Sequence, residues 1–377
     1  MPLLRCFNLS KNKNMIHFNK KNLVFITLLL LSACAGQPDL FVEYSNPHIA
    51  YSGRIDTTTA KAADLYWSGT SVTINFKGEA IGALLEDERG DNYYNIIIDN
   101  DSLFVLRPDT IKRLYPLATG LSNGNHKIEI FKRTEWDRGK TTFYGFQIKG
   151  NPELLNREAS RKRKIEFYGN SITAGYAVED FSGKDRPDSI FTNNYLSYAA
   201  ITARHFNAEY NCICKSGIGI LISWFPLTMP EMYNRLIPED STSRWDFALY
   251  TPDVVVVNLF QNDSWLVNMP DYETFKTQFG TKAPDEDVIV KSYAGFVSAI
   301  RKEYPNAQII CALGTMDATR EGSPWPGYIQ QAVAGLNDSK TVTFFMPYKN
   351  TPGHPTIAEQ EDMADSLIHF IEKNVEW

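Results

Sequence analysis

The chain has 377 residues, of which 43% are hydrophobic and 22% are charged, and its formal net charge is −6. This length is sufficient for two domains, and the composition is ordinary for a globular protein. The charge balance lacks the basic excess that is typical of nucleic-acid binding, so we expect no nucleic-acid partner.

The N-terminal segment has the composition of an export signal. Several lysines precede an apolar run at Leu23–Leu31, which is too short to span a bilayer as a mature helix. The run ends in Leu31-Ser32-Ala33-Cys34, and small residues before a cysteine resemble a bacterial lipoprotein signal. We therefore expect residues 1–34 to be a signal peptide and lipobox, with Cys34 anchoring an exported protein to a membrane. The alternative is a plain secretory signal with an incidental cysteine.

Cysteine usage does not indicate a disulfide scaffold. Three cysteines follow the signal, at Cys212, Cys214 and Cys311, and an odd number cannot all pair within one chain. Too little chain separates Cys212 from Cys214 for an ordinary disulfide. Buried free thiols are therefore expected.

Residues 39–150 show the apolar alternation and turn spacing of β-structure. Turn signals such as Lys77-Gly78 and Asp99-Asn100-Asp101 separate the apolar runs, and no window keeps a helical period for long. Many short strands with regular turns indicate a β-sandwich of jelly-roll type. The candidate strands are Ser71–Phe76, Ala80–Leu85, Tyr93–Ile98, Ser102–Leu106, Ile111–Leu117, His126–Phe131 and Thr142–Ile148.

The polar stretch at 151–163 is the predicted linker to a second domain at 164–377. In this domain apolar strands alternate with helices, and Val254–Val257 is apolar on both faces, as in a parallel sheet covered on both sides. The pattern predicts a doubly wound α/β sheet with its site at the carboxyl ends of the strands. The strands are Lys164–Tyr168, Ala208–Cys214, Asp253–Leu259, Gln308–Leu313 and Val342–Phe345, and the helices are Tyr195–Phe206, Met229–Leu236, Glu286–Tyr304, Tyr328–Leu336 and Thr356–Asn374.

Lys164–Tyr176 has the pattern of a buried strand that runs into a tight turn with Ser171 at its top. Gly169 is expected to adopt backbone angles that a Cβ would forbid. Ser171 follows where a helix would begin, and the free N–H groups there favour developing negative charge. Its hydroxyl is a candidate nucleophile with nearby amides as oxyanion donors, whereas the alternative is a plain helix N-cap.

The other strand ends offer the groups that a nucleophilic serine needs. Gly217 follows the second strand with a backbone amide, Asn262 follows the third with a side-chain amide, and His354 follows the fifth with an imidazole. Each has an alternative, because glycine and asparagine are common in turns and a lone histidine is often only a surface residue. Together they form a set for acyl transfer. No metal-binding or dinucleotide motif accompanies them, so we expect neither a metal nor a cofactor.

This order of residues resembles the SGNH hydrolases, also called GDSL esterases. Their four blocks match Gly169–Thr173, Ser216-Gly217, Phe260–Asp263 and Thr351–His354. The resemblance covers the chain from the first predicted strand of the second domain to its end. The order and spacing of the blocks together are specific, although each block alone is weak.

The resemblance implies a role for each residue of the set. Ser171 would be the nucleophile and His354 its base, and the oxyanion hole would comprise the amides of Ser171 and Gly217 with the side chain of Asn262. Trp325 lies between two prolines in a predicted loop on the same side of the sheet. It is the first candidate for an aromatic platform under a sugar substrate, before Trp136, Trp224 and Trp265, and core packing is expected for at least half of these four side chains.

The N-terminal half resembles carbohydrate esterase family 2 in the stretches Tyr51–Arg54, Tyr66–Gly69, Phe76–Gly78 and Lys132–Glu135. In that family a β jelly roll precedes the SGNH domain. The resemblance implies removal of acetyl groups from plant polysaccharides such as xylan and mannan. Two other functions stay open: a glycan-binding lipoprotein with a degenerate esterase domain, and an esterase or lipase for non-sugar acyl groups.

Three positions depart from the SGNH blocks. Asn170 replaces the usual Asp, Phe260 replaces a Gly, and Thr351 replaces the Asp that normally precedes the histidine by three residues. The last change removes the usual acid that orients His354. A backbone carbonyl is the expected replacement, as in a Ser–His dyad, with the Asn350 side chain and a carboxylate from another loop as alternatives.

Overall fold

The computed structural model describes residues 38–58 and 61–377, and Asp39–Trp377 forms one compact unit. The predicted signal peptide and Cys34 lie outside the described residues. No helix in the described part of the chain has the length and apolar character needed to cross a membrane.

The N-terminal half forms two six-stranded antiparallel sheets. The strands are β1 Leu40–Glu43, β2 Ile49–Ser52, β3 Ile55–Asp56, β4 Ala63–Leu65, β5 Ser71–Lys77, β6 Ala80–Asp87, β7 Tyr94–Ile98, β8 Ser102–Leu106, β9 Arg113–Thr119, β10 Asn125–Lys132, β11 Thr141–Lys149 and β12 Glu153–Leu154. One sheet has the order β3-β4-β11-β6-β9 with β1 on β11, and the other has the order β12-β5-β10-β7-β8 with β2 on β5.

Alternate residues of these strands fill one core between the two sheets. Val72, Ile74 and Phe76 of β5 are at most 1% exposed, while the residues between them are partly exposed or polar. A period of two is what buries one face of a strand, so the prediction of a β-sandwich is confirmed. The stretch 151–163, predicted as a linker, is not irregular throughout, because it contains β12, which pairs with β5.

The C-terminal half forms a five-stranded parallel sheet with helices on both faces, so the prediction of a doubly wound α/β sheet is confirmed. The strands are β13 Arg163–Gly169, β14 Ala208–Cys214, β15 Val254–Asn258, β16 Gln308–Leu313 and β17 Thr341–Phe345. The helices are α1 Ser171–Ala174, α2 Tyr198–His205, α3 Met229–Met232, α4 Gln261–Leu266, α5 Glu273–Phe279, α6 Glu286–Glu303, α7 Trp325–Leu336 and α8 Ile357–Asn374. The strand order is β14-β13-β15-β16-β17.

This strand order places a topological switch point at the carboxyl end of β13. The chain runs from β13 outward to β14 and then returns to the other side of β13 to form β15. Gly169, the last residue of β13, is level with Cys214 on one side and Asn258 on the other. The loops that leave these strands therefore start from one crevice, where open α/β sheets bind their ligands.

A buried ion pair fixes the sandwich to the parallel sheet. Arg54 follows β2 and is 1% exposed, and its Nη2 lies 2.8 Å from Oε1 of Glu166 on β13. Nη1 of Arg54 also donates to the carbonyls of Tyr233 and Arg235. A buried charge pair of this kind is stable only with such additional hydrogen bonds, so the two halves are locked in register.

The three cysteines in the described residues are buried free thiols, as predicted. Cys212 and Cys214 lie on the same face of β14 with their Sγ atoms 3.4 Å apart. Burial raises the pKa of the Cys311 thiol to about 12, so it stays protonated and unreactive.

Candidate active site

Ser171 is the first residue of α1 and lies directly above the end of β13. The N-cap is the preceding residue, Asn170, whose Oδ1 accepts from the Ile172 N–H at 3.0 Å. The capping role is thus filled by another side chain, and the Ser171 hydroxyl is available for a different partner. That cap is also why asparagine can stand where the SGNH block usually has aspartate.

Gly169 is required for a different reason from the one expected. Its φ does not lie in the left-handed region, but a Cβ built on it would lie 2.0 Å from Oγ1 of Thr173. The glycine therefore lets α1 pack closely against the strand end. The expectation of unusual backbone angles at this residue was wrong.

Ser171, His354 and Asp185 form one hydrogen-bonded line. Oγ of Ser171 is 2.9 Å from Nε2 of His354, and Nδ1 of the same ring is 2.8 Å from Oδ2 of Asp185. The His354 backbone N–H also donates to both Asp185 oxygens at 3.0 Å. This is the geometry of a nucleophile, a base and the carboxylate that orients the base.

The group that orients His354 is therefore a carboxylate from another loop, and the expected backbone carbonyl was wrong, as was Asn350. Asp185 belongs to the long loop between α1 and α2, far from the histidine block in sequence. Gly353 makes room for it, since a Cβ there would lie 2.9 Å from Oδ1 of Asp185. Thr351 points elsewhere and contacts Lys349 and Glu359.

The electrostatics of this line favour an ionised Asp185. The hydrogen bond from the His354 ring holds the pKa of the Asp185 carboxyl below its ordinary value. The imidazole is also packed, because the Tyr176 ring lies 4.8 Å from it between centroids. The His354 ring therefore contacts the Asp185 carboxylate through Nδ1 and packs against the ring of Tyr176.

Gly217 and Asn262 leave the strands on either side of β13. Gly217 has a φ of 83°, and no hydrogen bond among the described residues uses its N–H or the N–H of Ser171. The Asn262 amide is fixed, since Nδ2 donates to the Ile218 carbonyl at 2.8 Å and Oδ1 accepts from Trp224 Nε1 at 3.0 Å. Two free backbone donors and one oriented amide are the components of an oxyanion hole.

Asp263 ties the loop after Gly217 to helix α4. Its carboxylate accepts the backbone N–H groups of Ile220, Leu221 and Ile222 at 2.7–3.2 Å. The residue is fully buried, and burial raises the pKa of its carboxyl to about 6. This contact holds the loop next to Asn262.

Phe260 occupies the position where the SGNH block usually has glycine, and it keeps the glycine conformation. Its φ is 84°, in the left-handed region that bulky residues rarely adopt. The ring is fully buried, with its centroid 4.8 Å from that of Tyr293 and 5.0 Å from that of Trp325. Packing of the ring therefore offsets an unfavourable backbone conformation at the start of α4.

A cavity of about 440 Å³ lies beside the histidine loop. Its walls include the aromatic rings of Trp265 and Tyr348, and the remaining lining residues are Met316, Asp317, Arg320 and 349–353. Trp325 is not among them. It is 6% exposed and starts α7, so its expected role as a sugar platform is corrected to core packing.

Sequence reasoning missed the contribution of the sandwich to this site. Arg133 follows β10, is 2% exposed, and donates to the Ile190 carbonyl at 2.8 Å and to Glu179. It therefore anchors both ends of the segment that carries Asp185. Glu135, two residues later, accepts hydrogen bonds from Ser216. The only signal was the family-like stretch Lys132–Glu135, to which no role could be attached.

A nucleophile, base and acid at the switch point of a 2-1-3-4-5 parallel sheet define a serine hydrolase of the SGNH class. The sandwich in front of that sheet matches the family model for the N-terminal domain of carbohydrate esterase 2, over residues 51–157. A solved family two carbohydrate esterase from Clostridium thermocellum, in complex with cellohexaose, is 32% identical. The match covers 86% of this chain and 98% of that one, with a TM-score of 0.77. The chain belongs to carbohydrate esterase family 2.

Two curated relatives extend the comparison. "Cellulase/esterase CelE" of Acetivibrio thermocellus is 32% identical over 348 residues, which are 89% of this chain and 40% of that protein. The chain thus spans less than half the length of this relative. An "acetylxylan esterase / glucomannan deacetylase" of Cellvibrio japonicus is 24% identical over 373 residues, which are 94% of this chain and 99% of that protein.

Proposed function

We propose that this protein is a serine esterase that removes O-acetyl groups from xylan-like or mannan-like polysaccharides and oligosaccharides. The observation that carries the proposal is the unbroken hydrogen-bonded line from Ser171 through His354 to Asp185. The substrate class comes from the relatives, whose names include acetylxylan esterase and glucomannan deacetylase. The rings of Trp265 and Tyr348 beside the site support a sugar substrate, because aromatic faces pack well on pyranose rings.

The acylation step follows from the geometry. Oγ of Ser171 attacks the acetyl carbonyl carbon while its proton passes to Nε2 of His354, and Asp185 stabilises the imidazolium. The oxyanion accepts hydrogen bonds from the backbone N–H groups of Ser171 and Gly217 and from Nδ2 of Asn262. When the intermediate collapses, the sugar hydroxyl leaves with the proton from His354, and an acetyl ester remains on the serine.

The deacylation step uses the same groups. A water molecule loses a proton to His354 and attacks the acetyl ester on Ser171, and a second oxyanion forms in the same hole. Collapse of this intermediate releases acetate and returns the proton to Oγ. No group besides the side chains and amides named above is required.

Acetate release from acetylated xylan and acetylated glucomannan tests the proposal. Ser171→Ala should lower the turnover by about 10⁴-fold or more, because the serine, the base and the acid act as a unit. Ser366→Ala is the matched control, since its hydroxyl only donates to the Asp362 carbonyl on α8, and it should keep wild-type turnover. Wild-type turnover by Ser171→Ala is the result that rules out the assignment.

The same assay separates the alternative functions. A deacetylase should lose activity steeply from acetate to butyrate and octanoate esters, whereas a lipase-like enzyme should gain activity with chain length. A binding protein with a degenerate esterase domain should bind xylan or mannan without releasing acetate.

Export and lipid anchoring through Cys34 are part of the proposal. The support is the apolar run that ends in small residues directly before that cysteine. Expression in a bacterium fed radiolabelled palmitate should label the wild-type chain and Cys6→Ala, and Cys34→Ala should abolish the label. Label that persists in Cys34→Ala would exclude this anchor.

A further inference from the structure

Glu135 reaches from the sandwich into the second block of the active site. It lies in the loop after β10, just before a 3₁₀ turn at Trp136–Arg138, and is 4% exposed. Its Oε1 accepts from Oγ of Ser216 at 2.5 Å, and its Oε2 accepts from the Ser216 backbone N–H. One buried carboxylate thus holds both polar groups of a single residue.

The structure stabilises this buried carboxylate and its loop. Nζ of Lys215 lies 3.8 Å from Oε2 of Glu135 and 3.0 Å from Oδ2 of Asp137, and the lysine side chain is 11% exposed. Lys132 is fully buried and donates to the carbonyls of Thr134 and Glu135 at 3.1 and 3.2 Å. A buried anion needs such partners, and here they also fix the backbone around it.

Ser216, the residue that Glu135 binds, precedes a peptide bond that can take two orientations in a β-turn. Lys215–Ile218 is a four-residue turn closed by the Ile218 N–H on the Lys215 carbonyl at 3.1 Å. Gly217 is its third residue and has a φ of 83°, which is the type II pattern. Types I and II differ by a flip of the central peptide, here the one between Ser216 and Gly217. That flip would reverse the direction of the Gly217 N–H.

Contacts on both sides hold this peptide in one orientation. Glu135 binds Ser216 on one side, and the Trp224 N–H donates to the Gly217 carbonyl at 3.0 Å on the other. The Gly217 N–H between them has no partner among the described residues. It is therefore free for an oxyanion only while the turn keeps its present form.

We propose that Glu135 is a positioning residue for the oxyanion hole, which keeps the Lys215–Ile218 turn in the orientation that presents the Gly217 N–H. This inference rests on the proposed function, because it gives that N–H an oxyanion to bind. It also gives the sandwich a task in catalysis, since the carboxylate on which the turn depends comes from that half of the chain.

The test compares Glu135→Gln with wild type on an aryl acetate and on the matching thionoacetate, in which sulfur replaces the carbonyl oxygen. Loss of a whole oxyanion donor costs about 10²–10³ in kcat. Loss of its support alone should cost part of that, roughly 10-fold to 30-fold in kcat on the acetate, with KM changed less than about 2-fold. Sulfur is a weak hydrogen-bond acceptor. The rate ratio between acetate and thionoacetate should therefore fall as well, which a merely structural loss would not cause.

Asp137→Asn is the matched control, because it removes the other carboxylate beside Lys215 without touching Ser216. It should keep the wild-type rate ratio. Ser216→Ala keeps the backbone contact and removes only the Oγ contact, so it should show a smaller loss in the same direction. This variant decides the question if Glu135→Gln folds poorly in a thermal unfolding control.

Equal losses on the two esters, or wild-type kcat in Glu135→Gln, would overturn the role of Glu135 while the esterase function stands. A wild-type protein that cleaves neither ester would instead overturn the proposed function, and the role of Glu135 with it.

Discussion

Asp185 and Glu135 make the same pair of contacts at opposite edges of the parallel sheet. Each carboxylate accepts one backbone N–H and one side-chain hydrogen from a single residue. Asp185 binds His354, which follows β17 at one edge of the sheet. Glu135 binds Ser216, which follows β14 at the other edge. In the proposed mechanism the first pair serves proton transfer and the second serves the oxyanion hole.

The partners of the two carboxylates differ in charge. His354 becomes an imidazolium in the transition state, so Asp185 stabilises a charge that is absent in the ground state. Ser216 stays neutral throughout, so Glu135 contributes only geometry. The side chain of Asp185 is also more exposed than that of Glu135, at 31% against 5%, but its hydrogen bond to Nδ1 keeps it next to the charge that develops on His354. Differential stabilisation of charge should therefore make Asp185 the more important of the two for kcat.

Of the two carboxylate variants, Asp185→Asn should have the larger effect, a fall in kcat of about 10³–10⁴-fold. The amide can donate to Nδ1, and the ring would then hold its proton on Nε2, where it must accept one from Ser171. Steady-state kinetics on an aryl acetate measures the loss. It should exceed that of Glu135→Gln by at least about 30-fold.

The control for Asp185→Asn is Asp188→Asn. Asp188 lies in the same loop, is exposed and makes no capping hydrogen bond with its side chain. It should keep wild-type kcat. If Asp185→Asn lost no more activity than Glu135→Gln, the distinction between charge support and geometric support would be wrong.

The fold could be predicted from sequence because its signals are local. Alternation in the segment that became β5, and runs apolar on both faces such as Val254–Val257, report burial that depends only on strand geometry. Ser171, Gly217, Asn262 and His354 were found because each follows a strand, and parallel strands end at one edge of a sheet.

The supporting carboxylates could not be found in that way. Asp185 lies in a polar loop without periodicity and has a φ of 52°, and its contact with His354 exists only in the folded chain. Glu135 belongs to the other half of the sequence and reaches Ser216 across the two halves. Within the block Thr351–His354, Gly353 is the residue that makes room for Asp185. The sequence could not show this, because a glycine before a histidine has many explanations.

Phe260 also supports the oxyanion side of the site, and there packing rather than charge holds the geometry. Its backbone is strained at a φ of 84°, while its ring is buried against Tyr293 and Trp325. Removal of a buried phenylalanine ring costs about 3–5 kcal/mol. Relief of a left-handed conformation by glycine returns about 1–2 kcal/mol.

The packing loss exceeds the relief of strain, so Phe260→Gly should lower the free energy of unfolding by about 1–4 kcal/mol. Phe260→Ala is the matched variant, because it loses the same ring but keeps a Cβ in the left-handed region. Alanine is normally the more stabilising residue, yet here the glycine variant should be more stable than the alanine variant by about 1 kcal/mol. Denaturant unfolding of the three proteins measures both differences. An alanine variant as stable as the glycine variant would mean that α4, and Asn262 with it, begins without backbone strain.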